Sequence, residues 1–158
     1  MKKHFAAMVL CLALILLTDV PMASAAAVKS TVQESVTITS LENGFYLVTT
    51  VRIYADPTAP AGAVTQVSGS KTTAAYNSSN EKLFSLTVEG TFSFDSRSSK
   101  ALSANYSYAI YNVLWSFSDG SSNYMDNTAY ATATFKYLGI QSASLSVSLS
   151  CSADGVLS

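Results

Sequence analysis

Histidine is nearly absent from this chain: His4 is the only one, and it lies in a segment that reads as a leader. Without imidazole, the remainder has no Ser-His-Asp or Cys-His site and none of the usual zinc ligand sets. Cysteine is equally scarce. Cys11 falls inside the leader, which leaves Cys151 with no second cysteine to pair with. Charged residues make up 12% of the 158 residues, about half the usual ~25%. The cations beyond the leader, Lys29, Arg52, Lys71, Lys82, Arg97, Lys100 and Lys136, are scattered singly. Nucleic acid is therefore excluded as an expected partner, because phosphate neutralisation needs clustered cations. Electrostatic attraction to anionic lipid is unsupported for the same reason. Long apolar runs are missing after Leu17, and helical periodicity is nowhere convincing.

What is present begins with an export signal. Lys2 and Lys3 precede the uncharged run FAAMVLCLALILL, and Ala23-Ser24-Ala25 supplies the small residues of a cleavage site after Ala25. As a helix the run spans roughly 20 Å, short of the ~30 Å hydrocarbon core, so no membrane span is expected once the leader is removed. The expected organisation is a signal peptide over 1–25 and a single domain over 26–158, secreted into an extracellular setting. Removing the leader leaves seven basic and nine acidic groups.

Alternation with period two fills the rest. Val32, Val36 and Ile38 share a parity, and Asn43-Gly44 then signals a hairpin. Phe45, Leu47, Val51 and Ile53 share a face of the returning strand. Residues 56–70, with Pro57, Pro60, Gly62 and Gly69, read as a long connection before a modest strand, KTTAAYN. In FSLTVEGTFSFDS the apolar residues Phe84, Leu86, Val88, Phe92 and Phe94 take the even positions, a half-buried strand, with Gly90 marking a bulge or a close approach. NYSYAIYNVLWSFS shifts phase between Ile110 and Val113; read as one strand, it needs a β-bulge near Tyr111 to gather Tyr106, Tyr108, Ile110, Val113, Trp115 and Phe117 on one side. Residues 119–127 read as a loop. The last two strands direct Ala129, Ala131, Ala133 and Phe135, then Ala143, Leu145, Val147, Leu149 and Cys151, inward. About seven short strands predict an all-β, antiparallel β-sandwich, Ig-like in general architecture, with its strand order open.

The stretches KTTAAYNSSNEKLFSLTVEGTFSFDS, IYNVLWSFS, NTAYATATF and SLSVSLSCSADGVLS resemble a group of small secreted β-domain proteins of Gram-positive, gut-type bacteria, over roughly Lys71 to Ser158. The shared features are the TFSF-type strand and the CSADGVLS ending. The group has no assigned activity, so the resemblance implies an exported β-domain and nothing catalytic. Its members often carry a second cysteine after the turn that follows the TFSF-like strand. Here that stretch, RSSKALSANYS, has Ala101 and Leu102, so the resemblance implies that one half of a disulfide is missing.

Few side chains offer chemistry. Cys151, in the inward phase, reads as a buried thiol packed as a small hydrophobe; the alternative is an intermolecular disulfide. A nucleophilic role lacks a neighbouring base or cation cluster. Trp115 and its aromatic neighbours read as core, leaving Tyr46, Tyr54 and Tyr130 as the surface aromatics best placed for ligand stacking. The carboxylates are dispersed, and DGSSNYMDN lacks the ligand alternation of an EF-hand loop. No metal, cofactor or catalytic residue is expected. The expected function is a non-catalytic extracellular binding module. Its partner is unknown, with a cell-envelope component or self-association as the classes to consider. Binding is expected at the 56–70 and 119–127 loops. The alternatives are a self-assembling structural or matrix protein and a secreted antagonistic factor.

Overall fold

A computed structural model of the chain describes residues 31–54 and 65–158. The expected leader with its cleavage after Ala25, and the 56–64 part of the long connection, lie outside the described residues. Eight strands are described: β1 Thr31–Ser40, β2 Tyr46–Tyr54, β3 Thr65–Tyr76, β4 Lys82–Phe94, β5 Ser99–Ile110, β6 Trp115–Met125, β7 Thr128–Tyr137 and β8 Gln141–Ser150. They form a five-stranded sheet, β1-β2-β3-β4-β5, and a three-stranded sheet, β6-β7-β8. Every pairing is antiparallel between sequence neighbours. The all-β sandwich expected from the alternation is present, and its order is a plain meander rather than the Greek key of immunoglobulin domains.

Alternation determines which side chains meet between the sheets. Register places Thr73 opposite Leu86, Ala75 opposite Phe84 and Val67 opposite Phe92, so odd positions of β3 and even positions of β4 share the inner face. Leu86, Val88 and Phe92 are fully buried there, against Ala129, Ala131, Phe135, Val147 and Leu149 of the smaller sheet. The Phe84 and Phe135 rings stack at 4.2 Å between centroids, joining the layers at one point. Large side chains on β4 thus face a run of alanines on β7, and volumes complement across the gap. Gly90 marks a close approach between the sheets: a Cβ there meets the Phe92 ring at 2.8 Å and the Ala129 Cβ at 3.1 Å. A bulge follows at once, where Leu102 is the extra residue opposite Thr91 and Phe92.

The CSADGVLS ending folds back as a closing turn. Ser152 Oγ accepts from the Val156 amide at 3.1 Å, Gly155 takes the left-handed conformation (φ 79°), and Leu157 bridges to Cys151 and is buried. Cys151 itself is completely buried and unpaired. Its carbonyl accepts from Ser99 Oγ at 2.6 Å and Asn127 Nδ2 at 2.8 Å. The start of β5 therefore runs beside it. Burial pushes the Cys151 thiol above its ordinary range. Of its two readings, the packed thiol fits this site, because a bridge to another chain requires the closing turn to open.

Four expectations need correction. Residues 105–118 are not one bulged strand: the chain turns at Tyr111–Leu114 and crosses from β5 to β6, leaving Val113 96% exposed at the apex. Residues 119–125 belong to β6, with the bulge displaced to Phe117–Asp119. Residues 65–70 extend β3 rather than forming a connection. Thr128, which alternation with the inward Ala129 directs outside, is buried and bonded to Asn127 Oδ1 and Ser150 Oγ.

Two outcomes test this packing. Gly90→Val should lower the unfolding free energy in urea by about 1–3 kcal/mol, the usual penalty of overpacking; an unchanged midpoint contradicts the close approach. Cys151 should resist alkylation in the folded protein and label on denaturation, read by peptide mass. Because its folded pKa is raised, its contribution to stability is intact below the ordinary thiol range and declines as pH rises through it. Cys151→Ala should flatten that alkaline decline.

Candidate functional site

The outer face of the five-stranded sheet is where the hydroxyl-rich sequence becomes a surface with shape. Register aligns Thr50, Thr72, Thr87 and Ser107 in one row across β2 to β5. The adjoining row is Val48, Ala74, Ser85 and Ala109. These small floor residues are bordered by larger ones, so the centre sinks. Tyr76, Lys82 and Tyr111 stand at one end and Arg52 at the other, around a cavity of about 320 Å³.

Each rim group is held in place. Tyr46 stacks on Tyr76 at 5.0 Å with 8° between ring planes, and its hydroxyl donates to Asn80 Oδ1 at 3.1 Å. Lys82 Nζ sits 4.1 Å from the centre of the Tyr111 ring, a cation–π contact. Lys82 and Ser85 also hydrogen-bond the Tyr111 phenol and draw it below its ordinary value. Arg52 is bound to Glu34 at 3.1 Å, and that bond holds the guanidinium above its usual value. Both partners are about half exposed, so the pair orients Arg52 and adds little stability. On the floor, the Thr72 and Thr87 hydroxyls bond each other at 2.8 Å. A hydroxyl pair sharing one bond keeps a donor and several lone pairs for a ligand.

The three sequence-predicted tyrosines do not gather. Tyr46 and Tyr54 are half-buried at opposite ends of β2, about 26 Å apart at strand rise. Tyr46 borders the trough through Tyr76, whereas the Tyr54 hydroxyl is engaged with Ser70 Oγ at 2.8 Å. Tyr130 is exposed on the other sheet. Tyr76 and Lys82 were not singled out in the sequence, because their convergence depends on strand register. Tyr111, expected in the aromatic core beside Trp115, is instead 52% exposed on the trough rim, because the chain turns there from β5 to β6. A separate apolar groove of about 440 Å³ opens between the sheets, lined by Leu41, Phe45, Leu47, Leu83, Trp115 and Leu145. Trp115 forms its inner end, tilted against Phe84 at 4.6 Å. That groove exists because β1 and β2 extend past β8, the edge of the smaller sheet.

Among the described residues, no three His, Cys, Asp or Glu side chains gather to hold a metal, and no helix is long and apolar enough to cross a membrane. Comparison of the chain with protein-family models, with curated proteins and with solved structures finds no match.

Proposed function

We propose that the chain is exported and acts outside the cell as a non-catalytic binding module for a hydroxyl-rich ligand, a glycan of the cell envelope or its surroundings. The observation that carries this reading is the in-register row Thr50-Thr72-Thr87-Ser107, sunk between a tyrosine–lysine rim and Arg52. Hydroxyl groups of a sugar match such a floor donor for acceptor, while an aromatic ring covers the apolar face of a pyranose. Among the described residues no carboxylate lines the trough, and Glu34 beside it is bonded to Arg52, an arrangement that suits binding rather than the paired carboxylates of glycosidic cleavage. The leader and the lack of histidine outside it support the same reading.

A second reading, self-association, draws on the sheet edges. β8 reads QSASLSVSLS, with no charge or proline to discourage another strand. On the outer side of β1, Val36 and Ile38 are 59% and 66% exposed.

Screening on an array of envelope glycans, followed by calorimetric titration, tests the first reading. Replacing Thr72 and Thr87 together by valine removes a bonded hydroxyl pair with little change of shape, so the fold should hold. Affinity for a retained glycan should fall about five- to thirtyfold. An array without hits, or a double variant that binds as the parent does, contradicts the assignment. Light scattering separates the second reading: concentration-dependent oligomers that Ser146→Lys dissolves support association through the β8 edge.

A further inference from the structure

One end of the sandwich collects exposed aliphatic side chains on turns. Val113 and Leu114, at the β5–β6 crossing, are 96% and 42% exposed. Leu138 and Ile140, at the β7–β8 turn, are 58% and 84% exposed. The two turns are joined, since the Leu138 amide donates to the Leu114 carbonyl at 2.8 Å. Leu138 also sits at φ 49°, followed by Gly139 at φ 72°. Asparagine or glycine occupies that first position at least steric expense, and a leucine there is an outlier. A bulky apolar side chain is thus held in water, on a strained backbone, where a small polar one fits better.

We propose that these four residues form a wedge that inserts into the interfacial region of a lipid bilayer. Three features favour lipid over a protein partner. The turns protrude, and fluid acyl chains fit protrusions that a rigid surface meets only with a matching pocket. Part of their backbone is already engaged: Leu114 N donates to Asn112 Oδ1 at 2.9 Å, Leu138 N to Leu114 O at 2.8 Å, and Ile140 N to Tyr137 O at 3.0 Å. An apolar phase demands such internal satisfaction. Behind the wedge stand Tyr111, Trp115 and Tyr137, with Lys82 over Tyr111 and Lys136 next in sequence to Tyr137. Aromatic rings with cations beside them occupy the headgroup depth of membrane proteins. Glu42 and Glu81, on neighbouring turns at the same end, limit the depth and leave the contact dependent on apolar burial rather than on anionic headgroups. The wedge shares Tyr111 and Lys82 with the rim of the trough, but none of its four aliphatic residues lines it.

Trp115 is the sequence's one tryptophan and reports on the wedge directly. The full chain is titrated with phosphatidylcholine vesicles brominated at shallow or deep acyl positions. Trp115 emission should be quenched, more by the shallow label. The binding should persist within about twofold at ~1 M salt, since screening acts on charge pairing. The variant Val113→Glu/Ile140→Glu, altered only at exposed positions, should keep its circular dichroism and lose vesicle affinity by at least about tenfold. Absent quenching, or equal quenching in parent and variant, overturns the proposal. So does a dimer seen by light scattering that the variant abolishes while vesicles leave Trp115 unquenched, which assigns the wedge to a second copy of the chain.

Discussion

Two sheets of unequal width must bury one face each, and the alternation of apolar and polar residues allows them to do so only against each other. Where Phe84 meets Phe135 and the alanines of β7 receive the bulk of β4, that requirement is met with complete burial. The inequality has consequences elsewhere. Three strands cannot cover five, so β1 and β2 overhang, the inter-sheet groove stays open, and β8 is left as an edge. The polar halves of the same strands are forced outward, and in the larger sheet their register builds the hydroxyl trough. No buried side-chain nitrogen or oxygen among the described residues lacks a partner. The interior can therefore be this apolar without an electrostatic penalty.

The sequence was most legible where burial was strongest. β4, β7 and β8 carry the clearest alternation, and the structure buries Phe84, Leu86, Val88 and Phe92 of the first and the odd apolar residues Ala129–Phe135 and Leu145–Leu149 of the others, with Leu83, Ser85 and Thr128 buried besides. It was least legible where the chain changes sheet. The phase shift between Ile110 and Val113 has two physical solutions, an extra residue in one strand or a turn between two, and pattern alone does not separate them. The turn prevails because Tyr111 N and Asn112 N both donate to Leu83 O, ending β5 against the start of β4. Residues 119–125 looked like a loop because Asp119-Gly120 and the serines suit turns. They form a strand because their backbone finds partners along β7. The trough was invisible for a different reason: each threonine is ordinary in its own strand, and only pairing register brings four hydroxyls into line.

Chemistry is distributed over this frame by face rather than by motif. The one thiol of the described residues lies in the core, where burial suppresses its ionisation and removes it from reaction. Hydroxyls, two cations and stacked tyrosines share the outer face of the larger sheet. Bare aliphatic side chains collect on turns at one end. On the proposed reading, such a module contacts its surroundings through different surfaces with different physical forces, hydrogen bonding at the trough and apolar burial at the tip. No reactive group is needed for either.

The central claim is that alternate residues of the two sheets meet in a single core. Nuclear Overhauser contacts between aromatic and methyl protons test it most directly. The account predicts strong contacts from the Phe135 ring to Phe84, and from the methyl of Ala129 to the Phe92 ring that lies beside Gly90. Contacts from Ser85 or Thr87 to β7 in their place would contradict it, since they require the opposite face of β4 to point inward.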